Sequence, residues 1–217
     1  YFSKLLARLR SCDRVITVSE YWKRFLEKEG CENTDIIYNS FDLAPFRSLQ
    51  KNAPDFRRKY GIPENAPVIY IGNAIREKGV YEVYEGMKNS GFHLVMTGSK
   101  NRAADLPVHF LSLDRNDYLQ LLAISSAVIA MSRMEEGWNR IAHEAMLCKT
   151  PVIGSGAGGM AELLEKGGQI KLSDPSGLPD AVRKVMDNTS SYAAKGYEYV
   201  KQFDLAYFER RWVEVVN

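Results

Sequence analysis

Short runs of apolar residues alternate with amphipathic stretches along almost the whole chain. The apolar runs are rich in Val and Ile and show little polar alternation, which is typical of parallel strands covered on both faces. The strands predicted from them are Arg14–Val18, Asp35–Tyr38, Val68–Ile71, His93–Thr97, His109–Leu111, Ala127–Met131, Pro151–Ile153 and Gln169–Leu172. The helices predicted between and after them are Glu20–Glu29, Val80–Lys88, Asn116–Ile124, Asn139–Cys148, Met160–Glu165, Leu178–Met186 and Asp204–Val216. This order predicts an α/β fold with a doubly wound parallel sheet.

Signals at the ends of the helical stretches support this prediction. Ser19 and Asp114 each precede a helix and are predicted N-caps, because a short polar side chain there accepts a hydrogen bond from the first turn. Gly30 is predicted to follow the end of the first of these helices, since glycine adopts the left-handed conformation common at that position. In open α/β sheets, ligands bind at the carboxyl ends of the strands. Functional residues are therefore expected on the loops that lead from the strands into the helices.

The chain is predicted to divide into three parts. Residues 1–46 form a helix–strand–helix–strand unit outside the main sheet, and a looser segment over Asp42–Ala53, with prolines in and near it, is predicted to be a linker. Residues 47–202 hold the main sheet. Residues 203–217 form a C-terminal helix that returns toward the N-terminal part.

Composition narrows the class of protein. The 217 residues carry a net charge of +2 with scattered basic residues, so no basic stripe is present to bind nucleic acid. The longest uncharged run, Tyr118–Ser132, is shorter than the ~20 residues that span a bilayer. The cysteines are three, odd in number and far apart, which fits a reduced compartment and no metal motif. With no secretory signal at the start of the sequence, a cytoplasmic protein is expected.

The segment from Met134 to Gly159 carries the most chemistry. A buried strand turns at Gly137 into a helix, with Glu136 on the loop and Glu144 eight residues later. The first amides of that helix, including those of Arg140 and Ile141, lack partners within the helix and form an anion site together with the helix dipole. Two carboxylates beside such amides suit a nucleoside diphosphate that carries a sugar. The alternative is that both glutamates are solvated acids at a helix end.

A second loop supports the first. The strand Val68–Ile71 leads into the loop Gly72–Val80, which carries Arg76 and Lys78 before a helix begins. A lysine on such a loop can reach a diphosphate as a point charge. Taken alone, this lysine could equally be an exposed side chain beside Glu77.

A third pattern offers a different interpretation. Gly154–Gly159 fits the GxGxxG pattern, follows a strand and precedes a helix, and Asp174 lies at a plausible distance for a ribose. The alternative function is therefore an NAD(P)-binding oxidoreductase domain. Against it, the helix that follows is short and the motif lies late in the sheet rather than on the first strand.

Taken together, these stretches resemble the family 4 retaining glycosyltransferases. The resemblance rests on SCDRVITVSEYWKRFLEKEG with DIIYNSFDLAPF, on GNAIREKGV, on EGWNRIAHEAM and on TPVIGSGAGGMAEL, which occur in the order and spacing of that family. It implies a GT-B fold, in which two Rossmann-like domains face each other across a cleft. The chain would then be the C-terminal, donor-binding domain with a remnant of the acceptor domain before it. A non-catalytic module that binds nucleotide sugars is a further alternative.

The resemblance also assigns roles to residues. Glu136 would contact hydroxyls of the donor sugar, and Gly137 and Trp138 would line its pocket. The amides of Arg140 and Ile141 would bind the diphosphate, and Lys78 would bind it from the other side. Glu144 would bind the ribose. Glu136 and Lys78 are the predicted catalytic residues. Such transferases use no metal, and the sequence contains no Asp-x-Asp pair to hold one. No cofactor is expected beyond the UDP- or GDP-linked sugar that serves as donor substrate.

Three positions depart from the family pattern. Asn73 stands where an arginine usually follows the first-loop glycine; it is kept among the donor-binding residues, and Arg76 is expected to reach the same phosphate. Asn139 replaces a glycine after the motif aromatic, and Asn39-Ser40 replaces an Asn-Gly pair. His143, in the middle of a helix beside Glu144, is expected to have a packing or surface role.

The resemblance implies partners as well. They are a nucleotide-sugar donor and a glycan or lipid-linked acceptor, the second reached through an N-terminal domain that this sequence lacks. The implied process is polysaccharide synthesis in the cytoplasm, with peripheral contact at the inner face of the membrane compatible with the sequence.

Overall fold

Parallel strands form the centre of the computed structural model, which describes residues 2–49, 53–98 and 106–217. Within these residues the strands are β1 (Val15–Thr17), β2 (Thr34–Ile36), β3 (Val68–Asn73), β4 (His93–Thr97), β5 (His109–Leu111), β6 (Ala127–Ala130), β7 (Val152–Gly154) and β8 (Ile170–Lys171). The main sheet has the order β5-β4-β3-β6-β7-β8, and every pair in it is parallel. This order is that of the doubly wound Rossmann sheet. The predicted fold class is therefore confirmed.

The helices of the described residues follow the predicted order, with additions near the N-terminus. They are α1 (Phe2–Leu9), α2 (Glu20–Lys28), α3 (Ala44–Arg47), α4 (Ala53–Tyr60), α5 (Val80–Met87), α6 (Arg115–Ile124), α7 (Arg140–Leu147), α8 (Met160–Lys166), α9 (Leu178–Asp187), α10 (Thr189–Val200) and α11 (Leu205–Val216). The two predicted N-caps are present: Ser19 accepts from the Trp22 amide over 3.4 Å, and Asp114 accepts from the Asp117 amide over 2.9 Å. Gly30 is left-handed, as predicted, with φ at 82°.

Helices cover both faces of the main sheet. Val68 and Tyr70 of β3 point to one face, where they pack with residues of α6, α7 and α8. Ile69 and Ile71 point to the other face, which α5 and α9 cover. All four side chains are almost completely buried. Because both faces are buried, the strand sequence shows no polar alternation.

The N-terminal unit consists of α1, α2 and the parallel pair β1–β2. The C-terminal helix α11 contacts this unit, since the Arg211 guanidinium donates to the Ile36 carbonyl over 3.3 Å and the Tyr38 amide donates to the Tyr207 hydroxyl over 3.3 Å. The predicted linker Asp42–Ala53 is not uniformly loose, because its first part forms α3; residues 50–52 lie outside the described residues. The division at residues 46 and 202 stays a prediction.

In the described part of the chain, no helix is both long enough and apolar enough to cross a bilayer.

Candidate functional site

Two adjoining cavities lie at the carboxyl ends of β3 and β6. The chain winds from β3 to one side of the sheet and from β6 to the other, so this is the point at which such sheets bind ligands. The cavities have volumes of about 610 Å³ and 280 Å³, and both are lined by Asn73, Arg140 and Ile141. The larger cavity also contacts Glu144, and the smaller contacts Lys78 and Glu136. The structure thus brings together most of the predicted site residues.

Asn139 shapes the start of α7. It is left-handed, with φ at 63°, and its side chain accepts from the Ala142 amide over 2.9 Å. Asparagine tolerates this conformation better than other non-glycine residues, which explains how it can stand where glycine is usual. The cap satisfies the third amide of the helix and leaves those of Arg140 and Ile141 at the cavity wall, where the helix dipole favours an anion.

Glu136 and Lys78 both line the smaller cavity and form an ion pair there. Their carboxylate oxygen and ammonium nitrogen are 2.5 Å apart, and the carboxylate side chain is only 12% exposed. The two loops are also joined through the backbone, because the Arg133 amide donates to the Glu77 carbonyl over 3.1 Å. The two predicted catalytic residues are therefore paired with each other in this conformation. A bound sugar nucleotide would have to replace Lys78 as the partner of Glu136, or Glu136 as the partner of Lys78, or both.

Arg76 lies elsewhere in this conformation. Its guanidinium is 5.3 Å from the centroid of the Tyr81 ring, and it is not part of the described wall of either cavity. Its predicted contact with phosphate stays a prediction. Asn73 does line both cavities, and its amide oxygen accepts from the Tyr70 hydroxyl over 3.0 Å and from the Thr97 hydroxyl over 2.7 Å.

Glu144 is buried at the wall of the larger cavity and has two side-chain partners. Arg115 pairs with one carboxylate oxygen over 2.7 Å, and the Tyr118 hydroxyl donates to the other over 3.2 Å. Burial raises the pKa of Tyr118, so this hydroxyl stays protonated and donates. A carboxylate offers about four lone-pair sites, which leaves room for two sugar hydroxyls. Neither Arg115 nor Tyr118 was among the residues predicted from the sequence to form this site.

Trp138 and Gly137 lie on the loop between β6 and α7. The Trp138 indole is buried, packs against Tyr38 at 4.8 Å between ring centroids, and donates to Nδ1 of His143 over 3.0 Å. It is not in the described wall of either cavity, and its place in the sugar pocket stays a prediction. Gly137 lies against the N-terminal unit, because a Cβ there would be 3.2 Å from Cγ2 of Val18.

The packing role expected for His143 is confirmed, and it makes stability depend on pH. Burial lowers the pKa of this imidazole to about 3, with a smaller contribution from Arg140. The unfolded chain binds the proton near pH 6.5, so stability rises with pH between about 3 and 6.5 and is lost as pH falls through that window. We expect His143 to cost about 2 kcal/mol of unfolding free energy at pH 5 relative to pH 7.

Urea unfolding at pH 5, 6 and 7 measures this effect. His143→Gln keeps an acceptor for the Trp138 indole and should flatten the dependence of stability on pH. His93→Gln is the comparison variant: burial also lowers the pKa of this imidazole, but the side chain is only half-buried, so we expect a smaller change in the pH dependence. Equal pH dependence in His143→Gln and the parent would contradict the prediction.

The glycines of the GxGxxG pattern bring two loops together. A Cβ at Gly158 would lie 2.5 Å from the Glu136 carbonyl oxygen, and one at Gly159 would overlap the Gly137 carbonyl oxygen. The Gly159 amide donates to the Glu136 carbonyl over 2.7 Å. The pattern follows β7, whereas a dinucleotide would be bound after β3, the first strand of this sheet. This geometry argues against the dinucleotide-binding alternative.

In the described residues, no group of three or more His, Cys, Asp or Glu side chains is arranged to hold a metal ion.

The chain thus has a Rossmann sheet. Its switch point, where such sheets bind ligands, carries a buried carboxylate, a lysine and the first amides of a helix. The family model described as glycosyl transferases group 1 matches residues 52–202 of this chain. The chain belongs to this family, and the predicted GT-B family 4 glycosyltransferase domain is confirmed.

Solved structures share the fold. HepE of Anabaena in complex with UDP matches with a TM-score of 0.82 and 22% identity over 94% of this chain and 64% of that chain. A glycosyltransferase of Rickettsia africae matches with a TM-score of 0.82 and 19% identity over 98% of this chain and 66% of that one. WaaG, a glycosyltransferase involved in lipopolysaccharide biosynthesis, matches with a TM-score of 0.70 and 18% identity over 87% and 58%.

Curated relatives are similar in sequence. The uncharacterized glycosyltransferase MJ1178 of Methanocaldococcus jannaschii is 22% identical over 208 residues, which cover 88% of this chain and 55% of that protein. N-acetyl-alpha-D-glucosaminyl L-malate synthase of Bacillus anthracis is 24% identical over 185 residues, or 76% and 48%. The chain therefore spans about half the length of the curated relatives it matches.

Proposed function

We propose that this chain is the donor-binding half of a retaining, metal-independent glycosyltransferase. It would bind a UDP- or GDP-linked sugar, and the complete enzyme would transfer that sugar to a glycan or lipid-linked acceptor in the cytoplasm. One observation carries the proposal, which is the order of the site residues along two adjoining cavities. The smaller cavity is lined by Glu136 and Lys78, both cavities by Arg140 and Ile141, and the larger by Glu144. Their order matches sugar, diphosphate and ribose.

Each of these site residues has a proposed role in the transfer reaction. Transfer breaks the bond between the anomeric carbon and the diphosphate, so negative charge grows on the departing phosphate. The helix amides and Lys78 would stabilise that charge. Glu136 would accept hydrogen bonds from sugar hydroxyls, and Glu144 would accept them from the ribose. Holding the acceptor hydroxyl near the anomeric carbon falls to groups outside these cavities.

The ligands bound in similar structures guide the choice of ligand. HepE of Anabaena was solved with UDP and with UDP-glucose. These two ligands are therefore the first to test, with GDP and GDP-glucose as the second pair. The test is calorimetric titration of the chain in chelator, with NAD as the comparison ligand.

The outcomes separate the candidate functions. Binding of UDP-glucose or GDP-glucose in chelator, without binding of NAD, supports a metal-free donor site. Binding that disappears in chelator would contradict that part of the proposal, and binding of NAD instead would favour the dinucleotide alternative. A transfer assay of the chain alone should show almost no product, because the residues found here stabilise only the leaving group. Efficient transfer would contradict the assignment of the chain as the donor half.

Lys78→Ala tests the diphosphate site. In the proposed complex Lys78 exchanges Glu136 for the diphosphate, so we expect UDP to bind Lys78→Ala about 10- to 100-fold more weakly while uridine binds as before. The difference should shrink as salt is added. Calorimetry with UDP and uridine measures both, and Lys88→Ala is the matched control, because Lys88 is an exposed lysine directly after α5 that pairs with Glu85. Equal weakening of UDP and uridine would indicate a collapsed loop instead.

A further inference from the structure

The N-terminal unit contacts the loop that carries Glu136. Trp22 lies in the first turn of α2, and its indole Nε1 donates to the Glu136 backbone carbonyl over 3.1 Å. The same carbonyl accepts from the Gly159 amide over 2.7 Å. The loop between β6 and α7 is thus held from two sides. One of these sides belongs to the N-terminal unit rather than to the main sheet.

Neighbouring residues extend this contact along the loop. The Tyr21 hydroxyl hydrogen-bonds to Glu135, which raises the pKa of that hydroxyl. Val18, just after β1, lies where a side chain on Gly137 would have to sit. Three successive loop residues, 135–137, therefore each meet a residue from the end of β1 or the first turn of α2.

The indole is itself fixed. Its ring packs edge to face against Tyr21 and against Phe25, with centroids 5.4 Å apart in both pairs. A hydrogen bond from a rigid donor to the carbonyl of Glu136 restricts the peptide plane between Glu136 and Gly137. The direction of the Glu136 side chain depends on that backbone. The carboxylate lines the smaller cavity and pairs there with Lys78.

We propose that Trp22 is a positioning residue that holds Glu136 for recognition of the donor sugar. The proposal rests on the function proposed above, since it says that the N-terminal unit supports the part of the same site that would bind the sugar. It predicts that the two parts of the molecule are coupled: a change at the first turn of α2 alters recognition of the sugar and leaves recognition of the nucleoside diphosphate intact.

Removing the indole N–H should not detach the N-terminal unit. Glu162 of α8 binds that unit independently, because its carboxylate accepts from the Glu20 amide over 2.9 Å and from the Tyr38 hydroxyl over 2.5 Å. These bonds do not involve the Glu136 loop. Trp22→Phe removes the donor and part of the ring but keeps an aromatic side chain in the packing against Tyr21 and Phe25, so the change is local.

Calorimetry of Trp22→Phe with UDP and with UDP-glucose tests the proposal. We expect the affinity for UDP-glucose to fall about threefold to tenfold, as for the loss of one neutral hydrogen bond, while the affinity for UDP changes less than twofold. Trp212→Phe is the matched control, because Trp212 is a partly exposed residue on α11. GDP and GDP-glucose replace the uridine pair if the parent prefers them.

A second measurement does not depend on the variant binding the sugar nucleotide. In a ¹⁵N-labelled parent, the indole resonance that Trp22→Phe lacks should shift on saturation with UDP-glucose and shift less with UDP. Equal losses for the two ligands, unchanged affinity for both, or an indole resonance that does not respond to the sugar would each overturn the proposal. If the parent binds no nucleotide at all, the proposed function fails first, and the two failures are distinguishable.

Discussion

Gly159→Ala is expected to lower the free energy of unfolding by about 3 kcal/mol, the largest stability effect that we predict for a single methyl group here. A Cβ at this position would overlap the Gly137 carbonyl oxygen and would lie 2.6 Å from the Ser19 hydroxyl oxygen. The first of these groups belongs to the β6–α7 loop and the second is the N-cap of α2. Neither can withdraw cheaply, because one is backbone and the other holds a helix start.

Urea or thermal unfolding measures this loss. Gly177→Ala is the matched control, because its backbone is also right-handed and a Cβ there would meet only the flexible Leu172 side chain, at 3.3 Å. The control should unfold close to the parent. A Gly159→Ala protein that unfolds with the parent would show that the two loops can separate without cost, and would remove the structural role given to the glycine pattern.

Much of the fold could be predicted because its signals are local. The run of Val and Ile in β3, the serine before α2 and the glycine after it depend only on neighbouring residues and on burial of both sheet faces. The helix α4 escaped prediction because it is short and highly charged and buries only Phe56. The helix α3 lies in a segment whose prolines indicated a linker.

The location of the site was also predictable, since parallel strands bring their carboxyl ends to one edge of the sheet. Glu136, Lys78 and Glu144 could therefore be placed near one another from the loops that carry them. The side-chain directions could not. Trp138 turns into the core because His143, one turn later, offers its indole an acceptor, and Arg115 reaches Glu144 only because α6 packs beside α7. Such contacts depend on the register between elements distant in sequence, which no local pattern encodes.

Glu144→Ala is expected to weaken binding of UDP, or of GDP if the parent prefers it, by about 1.5–3 kcal/mol, as for hydrogen bonds to a charged group. This corresponds to roughly 10- to 150-fold in affinity. The reason is that both ribose hydroxyls would lose their acceptor inside a cavity whose wall keeps Glu144 almost fully buried. Arg115 remains half exposed and stays hydrated, so its loss of a partner adds little to the cost.

The ribose itself supplies the decisive control. A 2′,3′-dideoxy nucleoside diphosphate should bind Glu144→Ala and the parent alike, because it lacks the hydroxyls through which the carboxylate acts. Glu165→Ala, at an exposed glutamate paired with Lys171 outside both donor cavities, should bind every ligand as the parent does. If Glu144→Ala binds the normal diphosphate as tightly as the parent, Glu144 does not hold the ribose. If it weakens the dideoxy ligand equally, the carboxylate shapes the cavity through Arg115 and Tyr118 rather than through contact with the sugar.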